Sequence, residues 1–433
     1  MTTGHAGSAA QAAAAPPAPA VPLSRNRDYR LLWCGRAVSE FGVSATTIAF
    51  PLLVLAITGS AATSGLVLGT IAAAQLLAGL PAGALVDRWN RKKVMLCCEA
   101  TQATAAASLV AAVWWDVATA PHLLAVAAVF GVCAALFEPA EDASLPNIVA
   151  DDQLPTAVAM NSARGNLGHL SGTAAGGFLF AVGRFVPFVA DMVAHLVALL
   201  ALAFVRLPPR RVRPEARERL DREIMAGLAW VWRHRHIRVT ALCAVVLNLF
   251  FSAFYLVIIV LARDRGVPAG EIGVMAAMLG VGGIAGALVA PYLQSRVSPY
   301  VSIAGVFWAL TALTPLAVFV HNGYVMGALF FAMALLPPTA NTTIMTEQLL
   351  LTPDELRGRL SGVITLITGV AGAVGPMLGG VLTELVPGAT AVLVCAGGIA
   401  AVTALVTVNA TLRRFPRRRP GDAVETVAAE PSG

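Results

Sequence analysis

The sequence predicts an all-α integral membrane protein: twelve transmembrane helices in two parallel six-helix repeats. Three observations carry that prediction. Hydrophobic residues make up 57% of the 433 positions and charged residues only 12%, about half the roughly 25% charge of a soluble domain. Mean hydropathy is +0.74 over the whole length, so apolar surface must face lipid as well as a core. Twelve stretches approach the ~20 apolar residues that a helix needs to cross the hydrocarbon layer, and one fixed offset matches residues of the first half to the second at several places.

Residues 1–28 are rich in Ala and Pro and have no basic n-region. They read as a disordered cytoplasmic tail, not a signal peptide. A first bundle, 29–206, holds spans near 31–57, 63–86, 94–115, 121–138, 157–182 and 185–206. A linker, 207–236, is rich in Arg with interleaved Glu and Asp, and is amphipathic around Ile224–Trp232. It joins the halves and rests on the anionic inner leaflet. A second bundle, 237–412, holds spans near 237–262, 270–293, 299–320, 323–344, 360–386 and 388–411. Residues 413–433 form a second cytoplasmic tail, basic and then polar.

Orientation follows from the positive residues. With both termini in the cytoplasm, 25 of the 30 Lys and Arg lie on that side. Only Arg184, Arg263 and Arg265 lie outside, and Arg36 and Arg164 fall within helices. The chain is thus read as a multi-pass protein of the plasma membrane. Neither lysine, Lys92 or Lys93, follows a glycine, which excludes a P-loop and ATP-driven work by this chain alone. The six cysteines lie in apolar stretches or at their ends without ligand-like spacing and read as small buried hydrophobes. No metal, cofactor or nucleic-acid partner is expected. No span contains a nucleophile triad, a zinc-ligand helix or a carboxylate dyad, so the chain is not read as an enzyme.

The internal repeat has an offset of 203 residues. It aligns Gly79 and Gly83 with Gly282 and Gly286, Asp151-Asp152 with Asp354-Glu355, and Lys93 with Arg296. It also aligns Gly172, Gly176 and Gly177 with Gly375, Gly379 and Gly380. An offset of six helices keeps the membrane orientation, so the pseudo-axis runs along the membrane normal. Small residues let helix backbones approach closely in lipid, where no hydrophobic force joins them. Their recurrence suits two bundles that rock around a cavity between them.

The loop after the second span reads Gly83-Ala84-Leu85-Val86-Asp87-Arg88-Trp89-Asn90-Arg91-Lys92-Lys93. It closely resembles the signature loop of the major facilitator superfamily, Gly-x-Leu-x-Asp-Arg-x-x-Arg-Lys. The resemblance implies that Gly83 allows close packing, that Asp87 is a gate latch facing the positive end of helix 11, and that Arg88 and Arg91 are its partners. The second-half copy is degenerate, with Ala290 in place of Asp87. Gly375-Pro376-Met377-Leu378-Gly379-Gly380 resembles an antiporter element that the superfamily carries in helix 5; here helix 5 lacks the proline. The stretch from Phe137-Glu138-Pro139-Ala140 to Met160-Asn161-Ser162 resembles the exporter branch that contains the enterobactin exporter and macrolide efflux proteins.

Ionisable groups within a span are costly and so are functional candidates. Arg36 and Glu40 stand at i and i+4 on helix 1, which lines the cavity in this superfamily, and can pair. Burial favours the neutral acid and a neighbouring Arg the carboxylate; Glu40 is therefore the first candidate for proton coupling, against a permanent ion pair. Arg164 could meet Glu138 at the end of helix 4, or an anionic substrate. Asp191 pairs with His195, and His169 lies near the glycine run. Both are further proton-coupling candidates, against ordinary structural hydrogen bonding. Asn248, Asn341 and aromatics such as Phe254 are candidates for the substrate cavity, against helix packing.

The expected function is secondary transport by alternating access: proton-coupled efflux of a small amphipathic compound such as an antibiotic, drug or siderophore. The partners are that small molecule, protons and membrane lipid, and the chain is read as a monomer. Two alternatives stay open: a proton-linked importer or facilitator of a nutrient, and a receptor or accessory protein without flux.

Overall fold

The structure is a computed structural model that describes residues 22–207, 220–350, 352 and 354–413. Within them, the side chains of Ala84, Asp87 and a few residues of the linker and of the segment before helix 11 are not described. The first bundle contains α1 (Arg27–Thr58), α2 (Ala61–Arg88), α3 (Arg91–Trp114), α4 (Ala120–Ser144), α5 (Leu154–Val182) and α6 (Val186–Phe204). The linker contributes α7 (Leu220–Arg233); its residues 208–219 lie outside the described residues. The second bundle contains α8 (Arg235–Asp264), α9 (Ala269–Arg296), α10 (Pro299–Leu313), α11 (Gly323–Leu335), α12 (Pro337–Leu350), α13 (Asp354–Leu385) and α14 (Gly388–Val408).

Eleven described stretches are long and apolar enough to cross a membrane, with α11 and α12 counted as one. The twelfth crossing is α5, too polar for that criterion because it carries Asn161, Arg164, Asn166 and His169. Its polarity marks it as an inner helix. Side-chain caps start several helices: Asn26, Ser60 and Asn90 accept from the N–H groups of Tyr29, Thr63 and Lys93, satisfying donors that a helix leaves open. α1 stops where Gly59 turns left-handed, with φ of 67°, a conformation glycine adopts freely.

Three boundaries differ from the sequence reading. α1 begins at Arg27, inside the stretch read as tail, and Asp28 accepts a hydrogen bond from Arg206 N–H at 3.0 Å, tying it to the end of α6. α4 runs six residues past 138 with Pro139 inside it. The tenth span breaks at Leu336, where Pro337 and Pro338 start a new helix. Residues 1–21 and 414–433, most of the two predicted tails, lie outside the described residues.

The repeat is visible in the packing. Gly172 and Gly176 of α5 press on Phe41, Ser44 and Ala45 of α1; Gly375 and Gly379 of α13 press on Leu249, Ser252 and Ala253 of α8. A methyl added at Gly375 would lie 2.9 Å from the Leu249 carbonyl oxygen. One residue further along, each helix turns its next glycine to the other bundle. Gly177 meets Ala269 and Gly273 of α9, and Gly380 meets Ala61 and Ala62 of α2. The glycines themselves are mates at the 203-residue offset, whereas the residues they press on correspond at 208: Phe41 with Leu249, Ser44 with Ser252, Ala45 with Ala253 and Ala61 with Ala269.

The bundles meet as a wedge. At the end that carries Gly59, Gly65 and Gly69 of α2 lie against the backbone at Pro376 and Ala373 of α13. Glu384 accepts from the Ser60 hydroxyl and, at 3.0 Å, from Ala62 N–H. Arg263 donates to the Leu55 carbonyl at 3.0 Å. At the Arg88 end, a methyl added at Gly79, Gly83 or Gly362 would meet no atom within 4 Å. The seam is closed at one end and open at the other.

Candidate functional site

Between the bundles lies a cavity of about 930 Å³, lined by Gln75, Leu76 and Glu138 of the first and by Asn248, Thr365 and Thr368 of the second. A neighbouring cavity of about 450 Å³ reaches into the first bundle past Arg36, Glu40, Gln102 and His169. Gln75 and Glu138 line both.

A four-membered ionic cluster forms part of this inner wall. Arg164 of α5 donates from Nη1 to Glu141 Oε1 at 2.8 Å, from Nη2 to Glu40 Oε1 at 3.0 Å and from Nε to Glu40 Oε2 at 3.1 Å. Arg36 Nε lies 3.3 Å from Glu40 and 3.5 Å from Glu141, and its guanidinium sits 4.4 Å from the centre of the Phe137 ring. Local geometry builds this cluster. Helical spacing puts Arg36 and Glu40 on one face of α1. Gly168 lets α5 approach: a methyl there would lie 3.0 Å from Glu40 Cβ. That approach inserts Arg164, 5% exposed, between two carboxylates. Two positive and two negative groups balance, which makes their burial tolerable.

The expected Arg164–Glu138 contact is not made. Because α4 continues through Pro139, Glu141 lies almost a turn further along and takes that place. Glu138 turns instead into both cavities and has no ion pair among the described residues.

A second cluster sits away from the cavity, where α3 packs on α6. His195 Nδ1 is 2.6 Å from Glu99 Oε2, and His195 Nε2 is 3.5 Å from Asp191 Oδ1. The three side chains are 0–1% exposed. Both Asp191 oxygens, Glu99 Oε1 and His195 Nε2 lack hydrogen-bond partners. Asp191 thus lies beside His195 on α6, and Glu99 of α3 meets the other nitrogen of the same ring.

The other candidates divide. His169 and Asn248 line cavities, and Asn248 also donates to the Ala244 carbonyl at 2.9 Å. Asn341 is exposed on α12 and lines neither cavity. Phe254 is no cavity wall: it is 1% exposed, stacks on Phe250 at 5.3 Å and packs on Phe330. In the gate motif, Arg88 is exposed and Arg91 donates to the Ala143 carbonyl near the end of α4. The Asp87 side chain is outside the described residues, and Gly83 faces open space. The sequence reading missed Glu99, Glu141, Gln75 and the Glu384 and Arg263 contacts.

Residues 18–425 match the family described as transmembrane secretion effector, a branch of the major facilitator superfamily. The chain belongs to that family. The match spans both bundles and the linker. Among its relatives is the multidrug efflux pump Tap of Mycobacterium tuberculosis, 29% identical over 370 residues, 79% of this chain and 84% of the relative. Another is the enterobactin exporter EntS of Salmonella typhimurium, 26% identical over 406 residues, 92% of this chain and 96% of the relative. Two solved structures share the fold. The nucleoside transporter NupG superposes with a TM-score of 0.75 at 12% identity, covering 90% of this chain and 100% of that one. A bacterial homologue of the iron transporter ferroportin gives 0.65 at 17% identity, covering 88% and 99%. This transmembrane secretion effector is thus a multi-pass membrane transporter, not an enzyme.

Proposed function

We propose that the protein exports a small amphipathic compound by alternating access, driven by protons moving inward. The observation that carries this is Glu40: a carboxylate at the cavity, held by two guanidinium groups on two helices. The efflux functions named for Tap and EntS support the outward direction.

The positive-inside bias supports a cytoplasmic Arg88 end, and so a wedge open to the cytoplasm. Substrate enters there. Its binding displaces the proton of Glu40 into the cytoplasm, and the freed carboxylate is held by Arg36 and Arg164. The bundles then rock about the glycine seams. The Glu384 and Arg263 contacts part on the outer side, while the inner ends close with Asp87 as latch. In the outward state Glu40 takes its proton from outside and releases it inside after return. One proton crossing ~100 mV supplies about 2.3 kcal/mol, roughly a 50-fold concentration ratio.

A toxicity panel in an efflux-deficient host, with and without a protonophore, tests the reading. Expression should raise tolerance to at least one amphipathic compound, and the protonophore should abolish it. Increased accumulation of compound on expression would establish an importer instead. Asp87→Asn should lose this tolerance while the protein still inserts; full tolerance would remove Asp87 from the gate.

A further inference from the structure

We propose that Glu138 makes the central cavity a binding site for amphipathic organic cations. This deepens the exporter reading and rests on it only for the direction of movement.

Glu138 is the one ionisable group that lines both cavities. Its neighbours on the wall are balanced among themselves. Arg36 and Arg164 make their ion pairs with Glu40 and Glu141; Arg36 shares the smaller cavity with Glu138 and acts on it only through space, without an ion pair. Pro139, Leu76, Leu80 and Leu366 supply apolar wall around it. Asn248, Ser361 and Thr365 face it from the second bundle with amide and hydroxyl groups and no charge. The remaining charge of the large cavity is therefore one carboxylate in mostly apolar surroundings. A volume of about 930 Å³ falls within the roughly 300–1,000 Å³ of sites for drug-sized ligands.

Selectivity follows from that arrangement. A ligand that fills the cavity strips water from Glu138. A cationic group replaces the lost hydration with a direct ion pair. A neutral ligand leaves the carboxylate desolvated and unpaired, which is unfavourable. An anion adds like-charge repulsion to the same loss. Apolar walls then reward rings or chains attached to the cation. The site selects against carboxylate and catecholate ligands, and so separates two substrate types that an exporter of this family could carry.

Tetraphenylphosphonium and tetraphenylborate test this directly, because they share shape and size and differ in the sign of charge. Binding of each is measured by equilibrium dialysis on the purified, folded protein. Wild type should bind the phosphonium at least about tenfold more tightly than the borate, a difference of about 1.4 kcal/mol. Glu138→Gln should lose that preference, and Glu138→Asp, which keeps the charge, should retain it. Thermal unfolding of the variants verifies that each is folded. A wild type without preference, or a Glu138→Gln variant that keeps it, overturns the proposal. The toxicity panel reads the other question: a phosphonium preference without efflux would sink the exporter reading and leave the cation site standing.

Discussion

The first bundle holds two buried clusters of ionisable groups, and they follow different rules. Arg36, Glu40, Glu141 and Arg164 are balanced in charge, hydrogen-bonded through Arg164 and adjacent to the cavity. Glu99, Asp191 and His195 are unbalanced, poorly hydrogen-bonded and sealed from solvent. Two ionised carboxylates around one imidazolium would leave a net negative charge in apolar surroundings. The sealed cluster becomes neutral only when one carboxyl group keeps its proton. The central cluster is balanced as it stands, and in the proposed mechanism it is the one that exchanges a proton as the bundles move. Accessibility and charge balance, not burial alone, are what set the proposed coupling site apart from the sealed cluster.

The largest effect should come from Arg164→Met. It leaves Glu40 and Glu141 facing each other with one guanidinium between them, and breaking a buried pair in this way costs about 3–5 kcal/mol. Thermal unfolding of the purified protein should show that loss, and transport should vanish. A variant as stable as wild type would show that Arg164 is not the keystone of the central cluster.

Glu40→Gln should have a smaller effect on stability and a selective one on transport. The amide fills the same space and cannot carry the proton. Uphill export should collapse from the roughly 50-fold ratio one proton could sustain toward equilibrium, while downhill movement persists. Proteoliposomes with and without an imposed proton gradient separate the two. Unchanged uphill export would move the coupling site away from the central cluster.

The sequence made the architecture legible because membrane helices announce themselves by composition and because the duplication left glycines in register. It also showed three of the four members of the central cluster: Arg36 and Glu40 are neighbours on one helix face, and Arg164 is a charge within the fifth span. Glu141 was hidden by Pro139, read as the end of a helix. A membrane helix tolerates such a proline when neighbours re-satisfy the freed backbone group, so α4 carries its acids deeper than the sequence suggests. Glu99 was hidden for another reason. Its partner His195 is 96 residues away, and no local spacing records a contact between α3 and α6. The role of Phe254 failed similarly, since an aromatic on an inner helix looks the same whether it faces the cavity or its own bundle. Pairings within a helix were readable; pairings across helices were readable only where the repeat imposed them.

Asp191→Asn should have the smallest effect, and it tests the sealed cluster most directly. The amide has nearly the shape of the protonated acid, and Asp191 has no hydrogen bond to lose. Removing one potential negative charge relieves the imbalance around His195. Stability should change by about 1 kcal/mol or less, and uphill export should persist. Gly42 of α1 sharpens the reasoning, because a methyl there would lie 2.9 Å from Asp191 Oδ1. Helix α1 thus touches the sealed cluster two residues from Glu40. If Asp191→Asn abolishes uphill export while leaving the fold intact, the two clusters act as one proton-handling unit linked through α1. If export persists, Asp191 belongs to the packing of α3, α6 and α1, and the proton stays with Glu40.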